Sequence, residues 1–288
     1  MSTASQTVKI VECPRDAMQG WSHFIPTGQK IEYINGLLRV GFDTIDFGSF
    51  VSAKAIPQMS DTHEVVTQLD KTGTPTKLLA IVANERGAQE ALQYEVIDYL
   101  GFPFSVSATF QLRNTNSTIS EAVKRVEAIQ QLCIMHRRQL VIYLSMGFGN
   151  PYGDPYSEDI VYRWADTMHQ LGITVISLSD TVGLATPAQV NRVTAHVITH
   201  LPDVEVGVHL HSTPLNRVRK IDAAFKAGCR RFDGALMGFG GCPMAEDELV
   251  GNMDTEHLVE YFTRLGLCKQ VNLEALQQSR TMAKKIFI

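Results

Sequence analysis

Two histidines one strand repeat apart carry the sharpest chemical signal in the chain, in Val204-Glu205-Val206-Gly207-Val208-His209-Leu210-His211. Side chains alternate across a strand, so Val204, Val206, Val208 and Leu210 share the face that packs on helices. His209 and His211 then both point the other way. Two imidazoles on one face can hold one cation, although a pair of satisfied polar residues lining a barrel has the same pattern. Paired histidines also open metal hydrolases of the amidohydrolase type, but there they belong to the first strand, and here to the seventh. The first apolar run ends in Arg15-Asp16. Burying a guanidinium and a carboxylate is costly unless they pair or meet a charged ligand. Asp16 can give a cation a hard oxygen, and Arg15 can polarise a substrate oxygen. A rim ion-pair network explains the same two residues equally well.

Four further positions belong with these. Asp180, in Ser177-Leu178-Ser179-Asp180-Thr181, either orients neighbouring groups or bonds the turn that follows. Asp46 opens Asp46-Phe47-Gly48-Ser49-Phe50-Val51-Ser52 and adds a carboxylate with two hydroxyls close by. The glycine cluster Met237-Gly238-Phe239-Gly240-Gly241-Cys242-Pro243 permits a mobile loop and close backbone approach to a ligand. A thiol at its tip suits proton transfer beside a cation, while an incidental cysteine in a flexible loop is the plainer reading. The Lys-Ser/Thr ending of a phosphate-binding loop is absent. Asn252 offers its oxygen to a metal or to a turn, just ahead of Asp254, the expected cap of the next helix.

These residues fall at the ends of short apolar runs. Strands are expected near Val8–Cys13, Thr44–Gly48, Lys77–Ala83, Phe102–Ala108, Leu140–Met146, Thr174–Ser179, Val204–His211 and Arg231–Leu236. Stretches with helical periodicity separate them. Asp61 with Glu64 and Thr118 with Glu121 have capping-box spacing. Thr186-Pro187 and Thr213-Pro214 place a cap before a first-turn proline, and Gly172 and Gly228 stand where helices should stop. Eight strand–helix repeats without a linker indicate an α/β fold, a closed (β/α)₈ TIM barrel. An open doubly wound sheet would carry a nucleotide fingerprint after its first strand, and Cys13-Pro14-Arg15-Asp16 is not one. One catalytic domain is expected over 1–288, with the barrel at about 8–267. An extra C-terminal helix follows at about 271–286, amphipathic through Leu273, Leu276 and Met282. In such a barrel the chemistry sits at the C-terminal strand ends.

Composition narrows the function classes. A net charge of -4 with no block of Lys or Arg argues against nucleic acid and membrane surfaces as partners. Five scattered cysteines without a C-x-x-C pair argue against a disulfide framework or a zinc–thiolate site, and a reducing cytoplasm is the natural compartment. Met1 to Thr7 are polar and too few for a signal or transit peptide, and no peroxisomal ending is present.

Several stretches together resemble the 3-hydroxy-3-methylglutaryl-CoA lyases, within the DRE-TIM metallolyases that also include pyruvate-carboxyltransferase-type domains. They are Val8-Lys9-Ile10-Val11-Glu12 with Pro14-Arg15-Asp16 and Gln19, Ser49-Phe50-Val51-Ser52 with Pro57-Gln58-Met59, Asp180-Thr181-Val182-Gly183, Val208-His209-Leu210-His211 and Gly240-Gly241-Cys242-Pro243. The resemblance implies metal ligation by Asp16, His209, His211 and Asn252, a substrate-polarising Arg15 and a loop cysteine at Cys242. It implies Mg²⁺ or Mn²⁺ as cofactor, an acyl-CoA substrate, a homodimer, and a place in leucine degradation and ketone-body formation. The supporting carboxylate of the second strand, glutamate in the lyases, is Asp46 here. Ala17-Met18-Gln19-Gly20 stands where the family more often has Gly-Leu-Gln-Asn. The loop Met244-Ala245-Glu246-Asp247-Glu248-Leu249-Val250-Gly251 is one residue longer and more acidic than in the short-loop lyases, which points to a shifted substrate. The expected activity is retro-Claisen cleavage to acetyl-CoA and acetoacetate. Two rivals are another superfamily enzyme, an aldolase or a condensing enzyme joining acetyl-CoA to a 2-oxo acid, and a non-catalytic barrel that binds metal or CoA. Gly240-Gly241-Cys242-Pro243 speaks against the first, and the full ligand set against the second.

Overall fold

In a computed structural model that describes residues 7–241 and 250–288, eight parallel strands close into a barrel ringed by helices. The chain runs β1 (Lys9–Glu12), α1 (Pro14–Gln19), α2 (Thr27–Leu38), β2 (Thr44–Ser49), α3 (Thr62–Thr67), β3 (Lys77–Ile81), α4 (Glu85–Ala91), β4 (Ile97–Ser105), α5 (Ala108–Thr115) and α6 (Ile119–Met135). It continues through β5 (Gln139–Ser145), α7 (Glu158–Gln170), β6 (Val175–Ser179), α8 (Pro187–His200), β7 (Glu205–His209), β8 (His211–Ser212), α9 (Arg217–Lys226), β9 (Arg231–Gly234), β10 (Gly251–Asn252), α10 (Thr255–Arg264) and α11 (Leu273–Phe287). The barrel order is β1-β2-β3-β4-β5-β6-β7-β9, and β9 closes it by pairing with β1. β8 and β10 form a separate antiparallel pair, Asn252 opposite His211.

Alternation along each strand divides the core. On β3, Leu78 and Ala80 join the large cluster between strands and helices, whereas Leu79 and Ile81 pack with Tyr99, Val141, Tyr143 and Val175. Strands covered on both faces have little room for polar residues, which is why they read as nearly continuous apolar runs.

Several boundaries differ from expectation, each for a local reason. β1 stops at Glu12, and Pro14 at the first helical position begins α1, so Arg15 and Asp16 lie in a helical turn rather than on the strand. β4 begins at Ile97 instead of Phe102. Asp98 is tolerated there because its carboxylate accepts from Lys71 Nζ (2.6 Å) and the Leu78 N–H (2.9 Å). It ends at Ser105, because Ser107 caps α5 through the Phe110 N–H. β7 ends at His209 and β9 at Gly234, each shorter than expected.

The capping box of Thr118 with Glu121 forms, as does one of Thr186 with Gln189 behind Pro187. Asp61 does not cap α3; its carboxylate takes the buried Lys30 ammonium (2.7 Å) and the Thr27 hydroxyl (2.8 Å) instead. Thr213-Pro214 does not start a helix either. α9 begins three residues later, and Asn216 Oδ1 accepts from the Thr213 N–H. Gly172 and Gly228 terminate α7 and α9 with φ of 83° and 102°. α11 buries Ala275, Leu276, Ala283 and Phe287 and packs Met282 against the core, so the expected face forms through Leu276 and Met282, while Leu273 is 59% exposed. Among the described residues no helix is long and apolar enough to cross a membrane.

Candidate active site

A cavity of about 360 Å³ opens at the C-terminal strand ends, with Arg15, Asp16, Gln19, Tyr143, His209 and His211 in its wall. Helical spacing in α1 puts Gln19 one turn from Arg15 and Asp16. Arg15 Nη1 donates to Gln19 Oε1 (2.8 Å) and to Asp16 Oδ1 (3.1 Å), and Gln19 Nε2 donates to that same Asp16 oxygen (2.8 Å). The other edge of the guanidinium lies on Asp46 from β2, with Nε 3.0 Å and Nη2 2.5 Å from Oδ2. Asp46 is fully buried and does not line the cavity, so its short side chain serves to hold Arg15. A register shift between Asp46 and Gly48 against β3 falls at this point, and such bulges re-aim side chains.

His209 Nδ1 lies 3.2 Å from Asp233 Oδ2 on β9, the eighth barrel strand. With Nδ1 donating to that carboxylate, Nε2 keeps its lone pair for the cavity side. Burial disfavours protonated His209, but the Asp233 hydrogen bond and charge outweigh it and raise its pKa. Burial, with His209 adding to it, pushes His211 down to about 4, so its ring is neutral near pH 7. Burial opposes ionisation of Asp16, yet Arg15 and His209 prevail and hold it below the usual carboxylate range.

Asp16, His209 and His211 offer ligand atoms that all lie within 4.8 Å of one another. Asn252 Nδ2 is 2.6 Å from Asp16 Oδ2, and turning that amide over would present its oxygen. One carboxylate, two imidazoles and an amide make a mixed oxygen–nitrogen set that suits a divalent cation. Cys13, His209 and Asp233 form a second close group inside the barrel. Burial, reinforced by Asp233, holds the Cys13 thiol well above its ordinary pKa, which makes it a poor ligand.

Of the two roles expected of Asp180, the bond to the turn that follows is present: its side chain lies behind the cavity wall, with Oδ1 accepting from the Ala185 N–H (3.0 Å) and Oδ2 from Lys220 Nζ (2.7 Å). His211 is not on β7; it lies on the β8–β10 ribbon, in register with Asn252. Cys242 falls outside the described residues, as do Pro243 to Leu249. Asp233 and Lys220 were missed. A carboxylate two residues after Arg231 inside an apolar strand was the available signal for one. For the other it was a lysine sharing a helix face with Ala223 and Ala224.

An HMGL-like family pattern matches residues 7–282. The chain belongs to the HMGL-like family. A hydroxymethylglutaryl-CoA lyase of Bacillus subtilis is 33% identical over 94% of this chain and 89% of its own length. A mitochondrial hydroxymethylglutaryl-CoA lyase of Rattus norvegicus is 31% identical over 97% of this chain and 85% of its own. An HMG-CoA lyase structure from Acinetobacter baumannii, in complex with coenzyme A and 3-methylmalate, superposes with a TM-score of 0.90 and 32% identity. That match covers 99% of this chain and 93% of the other. The shared fold of this HMGL-like chain is thus the lyase barrel over nearly its whole length.

Proposed function

We propose that the chain is a divalent-metal-dependent carbon–carbon lyase that cleaves 3-hydroxy-3-methylglutaryl-CoA, or a close acyl-CoA analogue, into acetyl-CoA and acetoacetate. The observation that carries this reading is the meeting of the Arg15 guanidinium with the Asp16, His209 and His211 donors in one open cavity. Lyases named for this reaction match the chain over most of its length, and coenzyme A sits in the Acinetobacter relative.

Retro-Claisen cleavage removes a proton from a tertiary hydroxyl and develops negative charge on the thioester enolate. Asp16, His209, His211 and Asn252 would hold Mg²⁺ or Mn²⁺, which when bound lowers the hydroxyl pKa and fixes substrate geometry. Arg15 stabilises charge on the thioester oxygen, and its clamp on Asp46 and Gln19 spares it reorganisation during reaction. Asp16, whose carboxylate has a second oxygen, takes the hydroxyl proton, or His209 does with its Nε2 free of the cation, in which case Asp233 stabilises the positive charge the imidazole gains. Cys242, carried over from the lyase resemblance, returns a proton to the acetyl-CoA carbanion.

The proposed working form is one catalytic domain over 1–288, assembled as a homodimer as the resemblance implies. The proposed compartment is the cytoplasm, supported by four buried free thiols. The test of function is to incubate purified protein with 3-hydroxy-3-methylglutaryl-CoA and Mg²⁺ and assay acetoacetate and acetyl-CoA together. Equal formation of both supports the reading, and a metal-loaded protein that forms neither overturns it.

A further inference from the structure

Lys220 on α9 is a buried cation beside the two-histidine segment that the proposed chemistry does not use. Its side chain has no exposed surface, and it lies on the helix face with Ile221, Ala223 and Ala224. Its ammonium donates to two oxygens on different segments, Asp180 Oδ2 at 2.7 Å and the His211 carbonyl on β8 at 2.6 Å. The Asp180 N–H in turn donates to the His209 carbonyl at 2.9 Å. The contacts close a ring from His209 through Asp180 and Lys220 to His211, fixing the backbone on both sides of Leu210. The Met253 N–H donates to the Leu210 carbonyl (3.0 Å), and Asn252 pairs with His211, so the ring extends to the fourth donor.

A buried ion pair is weak evidence for stability, because well-packed apolar residues commonly do as well. What an ammonium adds is direction: three N–H groups at a fixed point, two of them aimed at defined oxygens. A methionine would fill the same space and anchor α9, but it would leave the His211 carbonyl free to turn.

We propose that Lys220 is a positioning residue for the cation site, setting the backbone angle between His209 and His211 and, through the ribbon, the place of Asn252. The proposal rests on the metal reading of this site. Partners that hold metal ligands in place commonly change metal affinity by ~10- to 100-fold when removed.

The experiment compares wild type, Lys220→Met and the double variant Asp180→Asn/Lys220→Met. Lys220→Met alone strands a buried carboxylate and can unfold the chain. The double variant removes both charges and keeps the Ala185 bond. Mn²⁺ is titrated by electron paramagnetic resonance, with circular dichroism melts and steady-state kinetics on the same samples. The expected result is a double variant with a near-wild-type melt, an Mn²⁺ Kd raised ~10- to 100-fold, a lower kcat and little change in acyl-CoA KM. A folded double variant with the wild-type Kd overturns the role of Lys220 while leaving the metal reading intact. Wild type that binds no Mn²⁺ overturns both.

Discussion

Arg15 and Asp46 meet edge to edge, with Nε 3.0 Å and Nη2 2.5 Å from the same carboxylate oxygen. The contact spans 31 residues and joins the turn after β1 to β2. It leaves Nη1 toward Asp16 and Gln19, at the cavity wall.

That geometry makes the guanidinium fork the part that matters. Arg15→Lys keeps the charge but cannot bond Asp46 and Asp16 in one plane. We expect kcat to fall ~10²-fold or more, the usual loss for a transition-state oxyanion donor, with a smaller change in substrate binding. Steady-state kinetics decides, and an unchanged kcat would remove Arg15 from the chemistry.

Chelation should abolish turnover, and Mg²⁺ or Mn²⁺ should restore it. His211→Ala should lose metal affinity while remaining folded, since His211 lies on the ribbon outside the barrel. Asp233→Ala should weaken metal binding ~10- to 100-fold by freeing the His209 ring. Calorimetric titration with Mn²⁺ measures both, and full activity in chelator-treated protein would refute the metal assignment.

Glu12, on β1, gives a stability prediction with a definite sign. Its carboxyl is fully buried, accepting the Leu236 N–H (2.9 Å) and bonding the Thr255 hydroxyl (2.5 Å). Burial pushes its pKa up to about 8, from 4.5 in an exposed chain. Between those values the folded protein holds a proton that the unfolded chain releases. Its contribution is therefore complete below pH 4.5 and lost as pH rises through 8. Glu12→Gln mimics the protonated form and should flatten the fall of Tm over that window. Parallel Tm profiles for the two proteins would show that Glu12 is ionised in the folded state.

Cysteine reactivity tests the loop carried over from the lyase resemblance. The four described thiols are buried, and burial raises each one, Cys133 and Cys229 to about 12 and Cys268 to about 11. Limiting thiol reagent should therefore modify Cys242 first, inactivate the enzyme and be blocked by substrate. Cys242→Ser should bind metal normally yet turn over ~10²-fold more slowly. Labelling that prefers Cys133 or Cys268, with Cys242→Ser fully active, would leave the loop a mere connection.

By itself the sequence determined the eight strand–helix repeats and the inward aim of His209, because alternation and helical periodicity are properties of neighbouring residues. It also marked the Thr118 and Thr186 caps, whose partners are three residues away. Tertiary structure decided where the long polar side chains go. Asp61 looked like a cap and went to Lys30, 31 residues distant, and Asp180 bonds its own turn as expected but also takes Lys220, 40 residues on. His209 found Asp233, and Asn252 found Asp16 across 236 residues. A carboxylate's partner is set by which charge or donor the closed barrel brings within hydrogen-bond reach, and the residues beside it in the chain carry no record of that.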